Sequence, residues 1–358
     1  MLAAMPRERR EHRLVARTSP SADDARRTTG APSLADVAEL AGVSHMTVSR
    51  VINGTGPVRA QTRLRVEAAI RKLDYRPNSA ARTLATGRSG TLGVVALDST
   101  LYGPASTLYG IEKAAREAGY AITISSISRP QERSISDAVE ALRGQAVEGI
   151  LVIAPHVSAG PALDRTPRDV ALVAVGAAES APMPVVTVDQ HDGARRATEH
   201  LLALGHRTVW HVAGPEDWLE ARARERSWRE TLESHGIQAP RVLRGDWSPR
   251  SGYDVGRALA AEREVSAVFV ANDQMALGML RAFAEAGIAV PRDVHVVGFD
   301  DVPEAAYFSP PLTTVRQDFT EVGRQAFELL MARLRGEERP PRQLITPELI
   351  VRESTGPR

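Results

Sequence analysis

The segment from Ser33 to Asn53 limits the fold of this chain more than any other stretch. Ser33 and Asp36 have the spacing of a capping box, in which the serine oxygen accepts from an unpaired amide in the first helical turn. Gly42 is suited to end that helix because it tolerates a positive φ, and Ser44 is suited to cap a second helix. The segment therefore predicts two short helices joined by a tight turn.

The second predicted helix has two different faces. Val48, Val51 and Ile52 fall on an inner apolar face, and polar or basic side chains are left for the outer face. Such a helix, set across a preceding one, is typical of the helix-turn-helix that enters the major groove of DNA. The alternative is an ordinary helical hairpin within a core.

The outer face predicts two kinds of DNA contact. Side chains that can hydrogen-bond phosphates, and so fix position without reading bases, are Thr47, Ser49 and Asn53. Side chains that can reach base edges are His45, Met46 and Arg50, since arginine suits guanine and methionine suits thymine methyl groups. The capping Ser44 completes the set of expected DNA-binding residues on this helix.

Charge is distributed unevenly along the chain. Residues 1–90 carry 16 lysines and arginines against 8 acidic residues, whereas the remainder carries 29 against 36. A basic N-terminal region followed by an acidic remainder fits a DNA-binding domain attached to a domain that does not bind DNA.

Length and composition indicate a globular, intracellular class of protein. A chain of 358 residues suits two or three domains, and 43% apolar residues can form a sizeable core. No apolar stretch approaches the roughly 20 residues that span a bilayer, and the N-terminus lacks a hydrophobic signal core. The absence of cysteine excludes disulfides, cysteine-ligated zinc and a thiol nucleophile. We expect a cytoplasmic protein without a membrane partner, in which residues 1–32 form a disordered basic tail.

A third helix and a hinge are predicted after the first two helices. Val66, Ile70 and Leu73 recur at helical spacing within residues 59–73. Pro77 prevents the helix from continuing, and a short segment over residues 79–90 leads into a glycine-containing linker.

Residues 33–88 resemble the DNA-binding headpiece of the LacI/GalR repressor family. The motifs that carry the resemblance are Asp36-Val-Ala, Ala41-Gly-Val-Ser, Thr47-Val-Ser-Arg-Val, Thr62-Arg, Tyr75 and Pro77-Asn78. The resemblance implies that Asn78 contacts DNA, and that Leu84 matches the hinge leucine that wedges a base step open in the minor groove. One departure is Arg59, where family members commonly have a serine that caps the third helix and touches phosphate. Arg59 can keep a phosphate contact and lose the cap.

From Thr91 onward, short apolar runs alternate with amphipathic helices. This alternation predicts parallel sheets with helices on both faces, and its repetition after residue 190 predicts two lobes. Ligands bind at the carboxyl ends of the strands of such sheets, so the cleft between the lobes is the expected small-molecule site. The predicted fold is α/β: a helix-turn-helix headpiece plus a two-lobed core of doubly wound parallel sheets. The predicted division is a tail at 1–32, a helix-turn-helix domain at 33–78, a hinge at 79–90, a first lobe at 91–188 plus 316–345, and a second lobe at 189–315 plus 346–354.

This body resembles periplasmic sugar-binding proteins and the core of LacI/GalR repressors. The motifs are Leu204-Gly-His-Arg, Gly245-Asp-Trp-Ser, Ala271-Asn-Asp-Gln-Met-Ala-Leu-Gly, Val297-Gly-Phe-Asp-Asp and Pro310-Pro-Leu-Thr-Thr-Val-Arg-Gln-Asp. By position, the resemblance implies a forked hydrogen-bond donor at Arg224 with Arg222 as its backup, and a covering loop at Tyr102-Gly-Pro104. The full implied set of effector-binding residues is Tyr102, Pro104, Arg222, Arg224, Trp247, Asn272, Asp300 and Gln317.

Structural alternatives remain at several of these positions. Asp300 can cap a helix or bind an arginine, Asn272 can cap the helix that follows it, and Trp247 can be a core residue. The other tryptophans, at 210, 218 and 228, are interpreted as packing or rim residues. Several family members carry an acidic ligand contact after the strand at 171–175, and Val175-Gly-Ala lacks it. The expected effector is a carbohydrate such as a β-galactoside. The alternative is that the chain is a regulator of the same fold whose effector is a purine or a co-repressor protein.

No catalytic or metal-binding motif is present in the sequence. His200, His206 and His211 are not spaced to gather metal ligands on one face, so they are interpreted as structural, and no cofactor is expected. The hypothesis is therefore a non-enzymatic homodimer that binds a palindromic double-stranded operator. The dimer contact is expected to include the surface near 106–118 and helix 320–335, with its apolar residues Val322, Ala326, Leu329 and Leu330. The sequence lacks the leucine heptads that would build a tetramer.

Overall fold

The computed structural model describes residues 32–76, 87–127, 132–166, 169–178, 180–262 and 264–356. The chain divides into two compact units, at residues 1–87 and 88–358. The predicted tail, apart from residue 32, and most of the predicted hinge lie outside the described residues. The confirmed fold class is α/β, with a helical headpiece in the first unit and two predominantly parallel sheets in the second.

The headpiece contains three helices, α1 (Leu34–Ala41), α2 (His45–Asn53) and α3 (Ala60–Leu73). The predicted capping box is present: Asp36 N donates to Ser33 Oγ at 3.3 Å, and Ser33 N donates to Asp36 Oδ2 at 2.8 Å. Gly42 ends α1 at φ 63°. Val37, Val48 and Val66, one from each helix, are fully buried and form the centre of a small core.

The first sheet of the core unit is parallel, in the order β11-β5-β4-β3-β1-β2. Its strands are β1 (Thr91–Leu97), β2 (Ala121–Ile127), β3 (Gly149–Ile153), β4 (Ala171–Val175), β5 (Val185–Val188) and β11 (Arg342–Ile345). Helices α4 (Tyr102–Glu117), α5 (Glu132–Gly144), α6 (Gly160–Asp164) and α11 (Phe319–Leu334) accompany it. We call this sheet with its helices the first lobe.

The second sheet has the order β12-β10-β9-β8-β6-β7, with β12 antiparallel to β10. Its strands are β6 (Trp210–Ala213), β7 (Leu243–Arg244), β8 (Ala267–Val270), β9 (His295–Asp300), β10 (Thr313–Arg316) and β12 (Glu348–Ile350). The accompanying helices, which complete the second lobe, are α7 (Gln190–Ala203), α8 (Leu219–Ser234), α9 (Pro249–Leu259) and α10 (Asp273–Glu285).

Several helices begin two to four residues earlier than the apolar pattern predicts: α4 begins at Tyr102 rather than at 106, α7 at Gln190 rather than at 193, and α9 at Pro249 rather than at 251. Their first turns are polar or contain proline and glycine, so no apolar pattern marks them, and side-chain caps fix the starts of α7 and α9. Asp189 accepts from Asp192 N at the start of α7, and Ser248 accepts from Ser251 N before Pro249 in α9. The prediction that Tyr102 and Pro104 lie in a loop is wrong for this reason, since both belong to the first turn of α4.

Helix α11 does not supply the predicted dimer surface with its apolar residues. Val322, Ala326, Leu329 and Leu330 are all buried in the core of the first lobe, at most 3% exposed. The α4 and α11 backbones pass so closely that a Cβ on Gly110 would lie 2.5 Å from the Thr320 carbonyl oxygen. These apolar positions therefore stabilise the lobe itself. None of the helices in the described part of the chain combines the length and the apolar character needed to cross a bilayer.

Candidate effector cavity and DNA-facing helix

A cavity of about 290 Å³ lies at the carboxyl ends of strands from both lobes. Its walls come from the segment after β1, the start of α8, the loop after β7, the start of α10, the end of β9 and the start of α11. The lining residues are Thr100, Leu101, Tyr102, Gly103, Pro104, Trp218, Glu220, Arg224, Trp247, Ser248, Pro249, Asn272, Gln274, Asp300 and Phe319.

A ring of buried polar side chains supports one wall. Gln190 Nε2 donates to Gln317 Oε1 at 2.7 Å, and Gln317 Nε2 donates to Asp300 Oδ1 at 2.7 Å. Arg224 Nε donates to Gln190 Oε1 at 2.8 Å, and Arg224 Nη1 lies 4.0 Å from Asp300 Oδ1. The ring joins α7, α8, the end of β9 and the crossing to α11, so it fixes the carboxylate and the guanidinium relative to each other.

Arg224 is 2% exposed and stacks over Phe299 at 3.9 Å from the ring centroid. Nη1 donates to the Ala271 carbonyl oxygen at 2.5 Å, and Nε is engaged in the ring. Nη2 lies 3.6 Å from Glu220 Oε2. Nε and one N–H of Nη1 are thus tied to the protein, which leaves the second N–H of Nη1 and the two N–H groups of Nη2 as donors for a ligand.

Asp300 ends β9 with a strained backbone, at φ 113°. Its side chain is almost entirely buried, and burial raises the pKa of the carboxyl to about 7, although Arg224 and the Gln317 amide act in the opposite direction. At neutral pH this carboxyl can therefore either accept or donate a hydrogen bond.

Trp247 forms an aromatic wall with Trp218. Their rings meet edge to face at 5.5 Å between centroids, and Trp247 has a positive φ of 73°. The indole packs directly over Gly214, where a Cβ would lie 2.1 Å from a Trp247 ring carbon. The interpretation of Trp218 as a packing or rim residue is therefore incomplete, because it lines the cavity; Trp228 is buried and donates to the Val209 carbonyl.

Asn272 both lines the cavity and caps α10. Its Oδ1 accepts from Met275 N at 3.0 Å, and its Nδ2 donates to the Trp247 carbonyl and to Gln274 Oε1. Asn272 therefore caps the helix that follows it, as the structural alternative predicts, and it also lines the cavity.

Six of the eight residues implied by sequence line the cavity: Tyr102, Pro104, Arg224, Trp247, Asn272 and Asp300. Arg222 does not; it is exposed, and its Nε donates to the Glu216 carbonyl. Gln317 does not line it either, and instead holds Asp300 from behind. Arg222 lies on the outside because it is two residues from Arg224, which places it on another face of α8.

The predicted set lacks several residues of this region, among them Gln190, Trp218, Glu220, Gln274 and Phe319. Glu220 had a readable signal, since it lies four residues before Arg224 and therefore on the same helical face. Gln190 had none, because its role depends on the approach of α7 to residues more than a hundred positions away.

Helix α2, which the sequence predicts to face DNA, has the predicted apolar and polar faces. Val48 and Val51 are buried, and Met46 is 64% exposed, with His45 and Arg50 also exposed. Ser44 caps the helix by accepting from Thr47 N at 3.3 Å, and Asn53 Nδ2 donates to Ser49 Oγ. Arg59 stands at the N-cap of α3 without a side-chain capping hydrogen bond. Asn78 and Leu84 lie outside the described residues.

The three histidines that sequence analysis interpreted as structural have separate partners. His200 contacts Thr355, His206 contacts Ser266 and His295, and His211 contacts the Phe269 carbonyl. Burial lowers the pKa of His211 to about 3. Within the described ranges no group of three or more histidine, aspartate or glutamate side chains could hold a metal ion.

Comparison with known proteins gives matches over both units. The model of bacterial regulatory proteins of the lacI family matches residues 33–78, and that of a periplasmic binding protein-like domain matches residues 198–355. The lactose operon repressor of Escherichia coli (strain K12) is 35% identical over 325 residues, or 90% of each chain. The repressor PurR of Haemophilus influenzae (strain PittEE) is 31% identical over 331 residues, 90% of this chain and 98% of that one.

Two solved structures are similar in both sequence and shape. A lac repressor dimer bound to operator and the anti-inducer ONPF has a TM-score of 0.85 and 35% identity, and the match covers 91% of this chain and 99% of that one. A complex of the transcriptional regulator CelR with cellobiose has a TM-score of 0.67 and 34% identity, with 90% and 99% covered.

Proposed function

The chain belongs to the lacI family of bacterial regulatory proteins, and on that premise we propose that it represses transcription by binding a palindromic operator, which it releases when a small sugar enters the cavity between its lobes. The observation that carries the proposal is the cavity itself. Arg224, Asp300 and Asn272 converge there beside the indoles of Trp218 and Trp247. Polar groups beside flat aromatic faces suit a pyranose, which has hydroxyls at its edge and an apolar face.

The effector is tested by isothermal calorimetry on the full chain. A panel of neutral β-galactosides and β-glucosides, including cellobiose, is titrated beside adenine, guanine and hypoxanthine. Binding of a sugar that also releases operator supports the proposal; binding of purines alone would replace it. The similarity to PurR is the observation that favours the purine reading.

The DNA contacts are proposed from chemistry and exposure on α2. His45, Met46 and Arg50 present their side chains to solvent and are assigned to base edges, and phosphate contacts are assigned to Thr47, Ser49, Asn53 and Arg59. Ser44 and Asn78 complete the proposed set of DNA-binding residues. Met46→Ala is expected to relax base preference at one position of each half-site and to leave the salt dependence of binding unchanged. Selection of binding sites from a random duplex library, before and after the substitution, measures both effects. An unchanged preference would reject the assignment of Met46.

Leu84 is proposed to wedge the central base step of the operator. Leu84→Ala should reduce operator bending and affinity and leave non-specific binding intact, because opening a base step is offset only by the extra contact of bent DNA. Bending is measured by circular permutation in gel shift. Equal bending by both proteins would remove this role.

The proposed assembly is a homodimer, since a palindrome presents two equivalent half-sites. The division into tail, headpiece, hinge and two lobes given above is proposed with it, and so is a cytoplasmic location beside chromosomal DNA. The relatives are named as repressors and regulators, and we propose that the chain has no catalytic activity. A light-scattering mass near four chains at working concentration would contradict the dimer.

A further inference from the structure

Glu220 is a second-lobe residue whose side chain faces the first lobe. It lies in the first turn of α8, and the loop after β3 holds that turn in place. Leu219 N donates to the Pro155 carbonyl at 2.8 Å, and Val157 N donates to the Asp217 carbonyl at 2.9 Å. These two backbone hydrogen bonds join the lobes directly beside the cavity, so the position of the carboxylate is fixed relative to both.

The carboxylate fills a space that the first lobe leaves open. Gly176 follows β4, and a Cβ on it would lie 3.6 Å from Glu220 Oε1. A smaller and largely apolar chamber of about 30 Å³ lies on this side, lined in part by Ile153, Val175 and Val188. Glu220 lines this chamber and the main cavity alike, so it stands at their junction.

No hydrogen bond to this carboxylate is made by any residue that the structure describes. The nearest cation, Arg224 Nη2, is 3.6 Å away, which is too far for a hydrogen bond. Burial raises the pKa of Glu220, although Arg224 opposes the shift. The Glu220 side chain is 20% exposed, and a carboxylate can accept about four hydrogen bonds, so a lack of donors on its buried part is costly. A ligand that supplies hydroxyl donors would remove that cost.

We propose that Glu220 is a specificity-determining residue that accepts hydrogen bonds from hydroxyls of a neutral effector and excludes anionic effectors. The charges at the cavity support both halves of this statement. Glu220 and Asp300 face a single guanidinium, two of whose nitrogens already donate to the protein. An anionic ligand would meet two acidic groups beside a single guanidinium, which is a repulsive element against the wrong ligand. This inference rests on the proposed sugar-effector function.

The test compares Glu220→Gln with the unaltered full chain. The probes are methyl β-galactoside, methyl β-glucoside and the two matching methyl uronides, each of which differs from its neutral partner by one carboxylate. Calorimetry gives the affinity, and fluorescence anisotropy of a labelled operator duplex gives its release. The unaltered chain should prefer a neutral probe over its uronide by at least about tenfold. Glu220→Gln should bind the neutral probe about tenfold to a hundredfold more weakly, because charge-assisted hydrogen bonds are lost, and should lose most of that preference.

The matched control is Glu233→Gln, the same chemical change at an exposed position on the same helix. It should leave both affinities unchanged. If Glu220→Gln keeps the affinity and the preference of the unaltered chain, the role of Glu220 is refuted and the sugar effector stands. If the unaltered chain binds no probe, the sugar effector and this inference both fail. Should Glu220→Gln not fold, equal binding of neutral and uronide probes by the unaltered chain would still overturn the proposal.

Discussion

Asp300→Asn should make the second lobe more stable at neutral pH and less able to bind effector. Burial raises the pKa of the Asp300 carboxyl from 3.8 to about 7, so the folded chain holds this proton more tightly than the unfolded chain. The resulting contribution to the free energy of unfolding is fully present below pH 3.8 and is lost as the pH rises through about 7. At about 1.4 kcal/mol for each pH unit, the loss amounts to about 4 kcal/mol. Asparagine keeps an oxygen that can accept from Gln317 and does not titrate.

The assay is urea unfolding followed by tryptophan fluorescence between pH 4.5 and 8. All four tryptophans belong to the second lobe, so the signal reports the lobe that contains Asp300. The difference in unfolding free energy between Asp300→Asn and the unaltered chain should grow in favour of the variant by roughly 3 kcal/mol or more over this range. Asp254→Asn, on the exposed side of α9, is the control and should show no such growth. Parallel pH curves for Asp300→Asn and the unaltered chain would refute the reasoning.

Three further predictions concern other parts of the chain. Arg59→Ser should stabilise the headpiece by about 1 kcal/mol in thermal unfolding, because serine can supply the missing cap of α3. If Arg59 contacts a phosphate, the same substitution should also lower the salt dependence of DNA binding. An unchanged melting temperature would contradict the predicted stabilisation. Gly110→Ala should destabilise the core by about 1–3 kcal/mol, because its Cβ would collide with the α11 backbone. Gly144→Ala is the control and should not destabilise the core, because a Cβ there meets open space. Equal urea midpoints for the two variants would contradict this contrast. His156→Ala removes a buried ring that contacts Asp98 at 2.7 Å and packs on Trp218, so it should change the sugar concentration needed to release operator; an identical release curve would show that the ring does not couple the lobes.

The order of strands and helices could be predicted from sequence because buried elements have a local pattern of apolar residues. The runs at β1, β4 and β5 are apolar apart from Thr91 and Thr187, since both faces of a doubly wound sheet are covered, and the strands that this pattern predicts at 91–97, 171–175 and 185–188 have the bounds that the structure shows. The starts of α4 and α7 could not be read in the same way, because their first turns carry no apolar pattern. The side of α11 that packs inward was also misjudged, since an apolar stripe does not say whether the chain itself or a second copy covers it.

In the candidate site, too, some residues could be predicted from sequence and others depend on tertiary packing. Trp247, Asn272 and Asp300 lie at or just after the carboxyl ends of strands, so the strand pattern brings them to one edge of the sheet, whereas Arg224, in the second turn of α8, was implied by the family resemblance. Glu220 was missed because the expected carboxylate was sought after β4, where the chain has Gly176. The carboxylate reaches that place from the opposite lobe, and only the packing of α8 against the loop after β3 reveals it.

The central claim is that the DNA-reading unit and the cavity are coupled, and thermodynamic reciprocity tests it most directly. Operator affinity is measured by anisotropy with and without a saturating sugar from the panel, and sugar affinity is measured by calorimetry with and without operator. The account predicts that each ligand weakens the other by the same factor, typically 5-fold to 150-fold. Operator affinity that does not change at saturating sugar, or equal affinity for duplexes of every sequence, would contradict it.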